Sequence, residues 1–184
     1  MAPNKRMTTV TAADVFPALY MYLFLIIEPG IIWIALPLIL VDPSHHFHSL
    51  APAGLTSGPY FTTSPASPPA SFLQAWHTPQ TRELLYLYVA AMAFSAVVEP
   101  MLLYLARYKL HDARDTELVV TGVLLSFLAF DVFHAAANWA VVGSASLTRD
   151  MYAAINFWIP VGLVVIRSMW LLGVGRSVTH CKTD

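Results

Sequence analysis

The chain has 184 residues, 57% hydrophobic and 11% charged, with a formal net charge of −1. Soluble domains carry about 25% charged residues, so this composition excludes an ordinary soluble globule and points to an integral membrane protein. The near-zero charge and the lack of a basic cluster argue against nucleic acid as a partner, and the single cysteine, Cys181, has no mate for an internal disulfide.

The first apolar stretch, about residues 17–40, exceeds the 7–15 residues of a secretory signal core and carries Glu28-Pro29-Gly30 at its centre, so it reads as a retained span. Pro29 removes a backbone donor, frees the Leu25 carbonyl and kinks the helix beside a carboxyl group. The connection over 41–83 is rich in Pro, Ser, Thr and Gly and is expected to be irregular, outside the cytoplasm. Its apolar side chains, Phe47, Leu50, Phe72 and Trp76 among them, suit a lid on the bundle mouth. His45, His46 and His48 invite a metal reading, but no second ligand cluster accompanies them, so they read as solvated loop histidines and no metal is expected.

The second span, about 84–106, repeats the first device with Glu99-Pro100, which frees the Ala96 carbonyl. A charged turn from Arg107 to Glu117 leads into the third span, about 118–142. There Asp131, His134 and Asn138, spaced by three and four, form one polar stripe on an apolar helix. That face is expected to look inward, with Asp131 orienting the His134 imidazole for acid/base work; interhelical glue is the structural alternative. Trp139, beside Asn138, is a candidate pocket wall able to stabilise positive charge. The fourth span, about 152–175, carries Arg167. Backbone in lipid must satisfy its own hydrogen bonds, so the expected fold is all-α: a four-helix membrane bundle with one long loop, a single membrane domain over 1–184.

Lys5, Arg6, Arg107, Lys109, Arg114, Arg176 and Lys182 fall on one side of the predicted bundle, and Arg82 and Arg149 on the other. Positive residues stay cytoplasmic, which places both termini in the cytosol. Trp33, Tyr86, Tyr88, Trp139, Trp158 and Trp170 lie mostly near span ends and read by default as interface anchors.

A charge at bilayer depth costs about 2.5–3.5 kcal/mol even on the lenient scale, so intramembrane Glu28, Glu99, Asp131 and Arg167 mark the candidate site. Counted from the cytoplasmic helix ends, Glu99 and Arg167 share a depth and are the natural pair, while Glu28 and Asp131 lie near the midplane. Three carboxyls against one guanidinium cannot all ionise cheaply in a low dielectric, so a retained proton is expected at Glu28 or Asp131, in a pocket widened by the two proline kinks.

Glu28-Pro29, Asp131-x-x-His134 and Arg167 together resemble a fungal family of small four-helix membrane proteins of unknown function, over nearly the whole chain. The resemblance implies lipophilic, secondary-metabolite chemistry. More distantly the design is similar to emopamil-binding-protein-like sterol isomerases and to fungal membrane-bound meroterpenoid cyclases, although the second span lacks a His-x-x-x-Glu and the cyclases have more spans. These resemblances imply a cofactor-independent cyclase or isomerase of a terpenoid or polyketide substrate in the endoplasmic reticulum, with epoxide opening as a near neighbour. The expected roles are Asp131 or Glu28 as proton donor, His134 as base or orienter, Asn138 and Trp139 on the substrate, and Glu99 with Arg167 at the cytoplasmic end of the site. A sterol or lipid binding or transport protein is the competing class, and homo-oligomerisation is left open.

Overall fold

The computed structural model describes residues 10–43, 46, 79–143 and 151–178. A short helix α1 (Ala12–Val15) precedes four long ones: α2 (Ala18–Val41), α3 (Pro79–Lys109), α4 (Ala113–Val142) and α5 (Met151–Leu171). All four long helices are long and apolar enough to cross a membrane. Among the described residues there is no strand, so the chain is an all-α, four-helix membrane protein. Large apolar side chains such as Ile34, Phe94, Leu118 and Phe133 are exposed on the outside of the bundle. In water such a surface would be an association liability; facing hydrocarbon it needs no cover.

The helix bounds differ from the expected spans where local chemistry intervenes. Helix α3 begins at Pro79 rather than near 84, because proline at a helix start loses no intrahelical bond. The segment 79–83 therefore belongs to a helix and not to the loop; most of the remaining loop, and with it the expected lid, lies outside the described residues. Helix α4 begins at Ala113 because Asp112 caps it, its Oδ1 accepting from the backbone N–H groups of Arg114 at 2.7 Å and Asp115 at 3.1 Å. Helix α5 stops at Leu171 rather than near 175. Gly173, at φ +83°, turns the chain while Val174 N–H donates to the Met169 carbonyl and Gly173 N–H to that of Trp170, a glycine-dependent helix stop.

One end of the bundle gathers both the first and the last described segments. Asp14 Oδ2 accepts from the Thr11 hydroxyl and backbone N–H, bonds that hold its carboxyl below the usual carboxylate range. Ser177 N–H donates to the Asp14 carbonyl, Tyr20 Oη to the Val174 carbonyl at 2.7 Å, and Trp170 Nε1 to the Val15 carbonyl at 3.2 Å. Arg176 stacks on Trp170 and pairs with Glu117 at 2.6 Å. Around these bonds Val15, Phe16, Phe24, Leu103, Val120, Leu124 and Trp170 form the main apolar core. Trp170, expected as an interface anchor, is fully buried in it, because the returning chain and α1 cover the end of α5.

Helices α4 and α5 pack along each other most extensively, with α3 against both α2 and α4. Their midsections enclose the charged residues.

Candidate buried ionic site

Glu28 comes from the most irregular stretch of α2. Over Leu23–Ile27 the helix widens to a π-helical turn, and Glu28 N–H donates to the Leu23 carbonyl at the end of it. Such turns are rare and recur at functional sites. Tyr20, Phe24 and Glu28, spaced by four, stay on the buried side through the wider turn, and Pro29 is buried beside them. Glu99 and Pro100 sit within α3, Asp131 on α4 and Arg167 on α5.

These four ionisable residues meet. Arg167 is fully buried, at 0% exposure, and Glu28, Glu99 and Asp131 are buried around it. Its Nη2 donates to Glu28 Oε1 at 2.6 Å and to both Glu99 oxygens, at 2.8 and 2.9 Å, while Nη1 donates to Asp131 Oδ2. The guanidinium also lies over two phenylalanine faces, Phe24 at 5.1 Å and Phe127 at 5.7 Å from the ring centroids. One side chain thus ties together α2, α3, α4 and α5. Arginine suits this place because its planar fork presents several donors at once, where an ammonium is a point charge.

The expected Glu99–Arg167 pair is present, but the separation of charges by depth is corrected. Glu28 and Asp131 join the same guanidinium, because the long arginine side chain bridges levels that counting along helix axes keeps apart. The Asp131–His134 pairing is also corrected: Asp131 accepts from Arg167, and no hydrogen bond joins it to His134. A buried guanidinium outcompetes an imidazole for a carboxylate by charge. His134 instead meets the rings of Tyr88 at 6.2 Å and Phe130 at 5.8 Å edge-on.

Asn138 donates to the His134 carbonyl of its own helix at 3.0 Å. Trp139, an interface anchor by default with a pocket wall as the alternative, is half exposed on the outer surface and leans on Phe157, which fits the anchor and not the pocket wall. The Arg167 guanidinium lies within hydrogen-bond distance of the carboxyls of both Glu-Pro pairs, Glu28-Pro29 and Glu99-Pro100. Tyr88, expected at the interface, is partly buried between His46, stacked at 5.9 Å, and His134. His46, read as a solvated loop residue, is buried at 4% exposure, its ring stacked on Tyr88 of α3; His45 and His48 lie outside the described residues.

Phe24 and Phe127 were not singled out from the sequence. The signal was there: each stands four residues, one helical turn, ahead of a buried acid, Glu28 and Asp131 respectively.

Two buried polar atoms of the cluster have no hydrogen-bond partner, Glu28 Oε2 and Arg167 Nε. An unmet buried polar group costs about 1–3 kcal/mol, so these atoms are where the ionic cluster retains binding capacity. Chemically the site can hold a retained proton on a surplus carboxyl, accept or donate a hydrogen bond at Glu28 Oε2, and donate one at Arg167 Nε. No protein-family model matches the chain, and neither a curated protein nor a solved structure matches it.

Proposed function

We propose that the chain is a membrane-embedded acid/base enzyme that cyclises or isomerises a lipophilic terpenoid or polyketide substrate reaching it from the bilayer. The observation that carries the reading is the surplus of acid: one guanidinium faces three carboxyls, and Glu28 Oε2 is buried without a hydrogen-bond partner. Structural glue between helices needs one acid for one base; three acids invest more polar groups in the membrane than adhesion requires.

In this reading a carboxyl that keeps its proton delivers it to an alkene carbon or an epoxide oxygen, and the resulting carbocation loses a proton from a neighbouring carbon to a second group. One proton enters and one leaves, so the reaction needs no oxidant or cofactor. Glu28 or Asp131 is the donor, since Arg167 engages both Glu99 oxygens but only one oxygen of each of these two. Phe24 and Phe127 meet the Arg167 guanidinium with their ring faces and so would help keep it, and the carboxyls it holds, in position. His134, one turn from Asp131, is the acceptor for the departing proton. The resemblance to fungal secondary-metabolite proteins supports a location in the endoplasmic reticulum, and the arginine and lysine distribution supports cytoplasmic termini.

Expression with the neighbouring pathway genes, followed by product profiling in deuterated water, tests the proposal. A new cyclised or isomerised product carrying solvent deuterium is expected, and an unchanged profile would overturn it. One observation favours a second reading, a sterol or lipid binding protein: Arg167 already pairs with each carboxyl, so the charges are held without a reaction. Saturable binding of a sterol or terpenoid with no product would select that reading.

A further inference from the structure

A second polar feature lies away from the buried cluster, at the end of the bundle that gathers residues 10–17 and 172–178. Arg107, in the last turn of α3, has two buried guanidinium nitrogens, Nε and Nη1, with no hydrogen-bond partner. Its guanidinium carbon lies 5.6 Å from the centroid of the neighbouring Tyr108 ring, whose hydroxyl donates to Met21 Sδ at 3.0 Å. The arginine is thus held against the helix surface rather than extended into water.

Among the described residues, the acids near this end are committed elsewhere or exposed. Asp14 accepts from Thr11, Asp112 caps α4, and Glu117 pairs with Arg176, while Asp115 is exposed. Thr116 Oγ1 reaches the Ala106 carbonyl at 3.3 Å, so α4 starts close against the last turn of α3. Lys109 and Arg114, both exposed, add charge of the same sign within one short turn. Among the described residues Arg107 Nε and Nη1 have no partner, and an anion from outside the chain would supply one.

Position selects the anion. The membrane-crossing part of α3 ends at Lys109, and two residues of rise, about 3 Å, separate Arg107 from that end. This is headgroup depth, where basic pockets at helix ends take up lipid phosphates. Arginine's fork matches two phosphate oxygens. We propose that Arg107, supported by Lys109 and Arg114, binds the phosphate of an anionic phospholipid headgroup in the leaflet on the side of the chain termini. The site is independent of the buried cluster and of any reaction there.

The test uses the full chain purified in a neutral detergent, with lipid binding read by native mass spectrometry. Phosphatidic acid is compared with phosphatidylcholine, and inorganic phosphate with both. The wild type is expected to retain phosphatidic acid about tenfold better than phosphatidylcholine. Arg107→Gln should abolish that preference, Arg107→Lys should keep part of it, and Arg82→Gln, at the opposite end of α3, should leave it unchanged. Equal retention of the two lipids by the wild type, or full preference in a folded Arg107→Gln protein, would overturn the proposal. Displacement of phosphatidic acid by an equal concentration of inorganic phosphate would overturn it too, by making the ligand a soluble anion. Should Arg107→Gln not fold, the lipid comparison on the wild type and on Arg107→Lys decides.

Discussion

Arg167 Nη2 lies 2.6 Å from Glu28 Oε1, joining the midsections of α2 and α5 across 139 positions of sequence. Glu99 and Asp131 complete the contact from the two remaining helices. A single guanidinium is therefore the shared centre of the bundle, and its removal should be felt by every helix.

Arg167→Met is predicted to destabilise the protein by roughly 3–5 kcal/mol, because it leaves three buried acids without a counter-charge. Replacing the arginine and all three acids together with apolar or amide residues should cost less than the single change. Thermal unfolding in detergent measures both, and a wild-type melting temperature for Arg167→Met would show that the cluster does not hold the bundle.

The three acids should not be equivalent. Glu99 accepts with both oxygens and Glu28 with one, so Glu99→Gln is predicted to lower stability more than Glu28→Gln. A double-mutant cycle between Glu99 and Arg167 should show coupling of about 1 kcal/mol or more. Strict additivity would mean that the contact contributes nothing.

For turnover the order reverses. Glu28→Gln should reduce product formation by about 10²–10⁴-fold, the usual loss for one acid/base group, while the bundle stays folded. Asp131→Asn and His134→Ala should also lose activity if they carry the second proton transfer. Near-normal product from both Glu28→Gln and Asp131→Asn, at normal expression, would leave ligand binding as the better account.

Trp170 offers a test of the core that is separate from the ionic site. It is fully buried and its indole N–H donates to the Val15 carbonyl. Trp170→Ala should cost about 3–5 kcal/mol through the cavity it leaves, and Trp170→Phe should cost less, since it keeps one ring and leaves a smaller void beside the unmet Val15 carbonyl. Equal melting temperatures for the two variants would contradict the packing.

Reporter fusions address orientation. Seven flanking Lys and Arg on one side against two on the other predict that a fusion at Lys182 reports the cytoplasm and one within Ser57 to Ser71 the opposite side. Reports from the same side would contradict the alternation of the spans.

The class of this protein and its four spans are legible from the residues alone, because runs of about 20 apolar residues and the need to satisfy backbone in lipid leave few alternatives. The sequence also marked Glu28, Glu99, Asp131 and Arg167, since an ionisable group in such a run stands out by its cost. What the tertiary structure decided was their partnership. Spacing along α4 aligned Asp131 with His134, yet the carboxylate turned to Arg167, a choice set by which helix faces it and by the stronger pull of a buried guanidinium. Depth counted along single helices kept Glu28 apart from Glu99, but the π-helical turn before Glu28 and the reach of the arginine side chain brought them to one point. Helical spacing tells which residues share a face; only packing tells which faces meet.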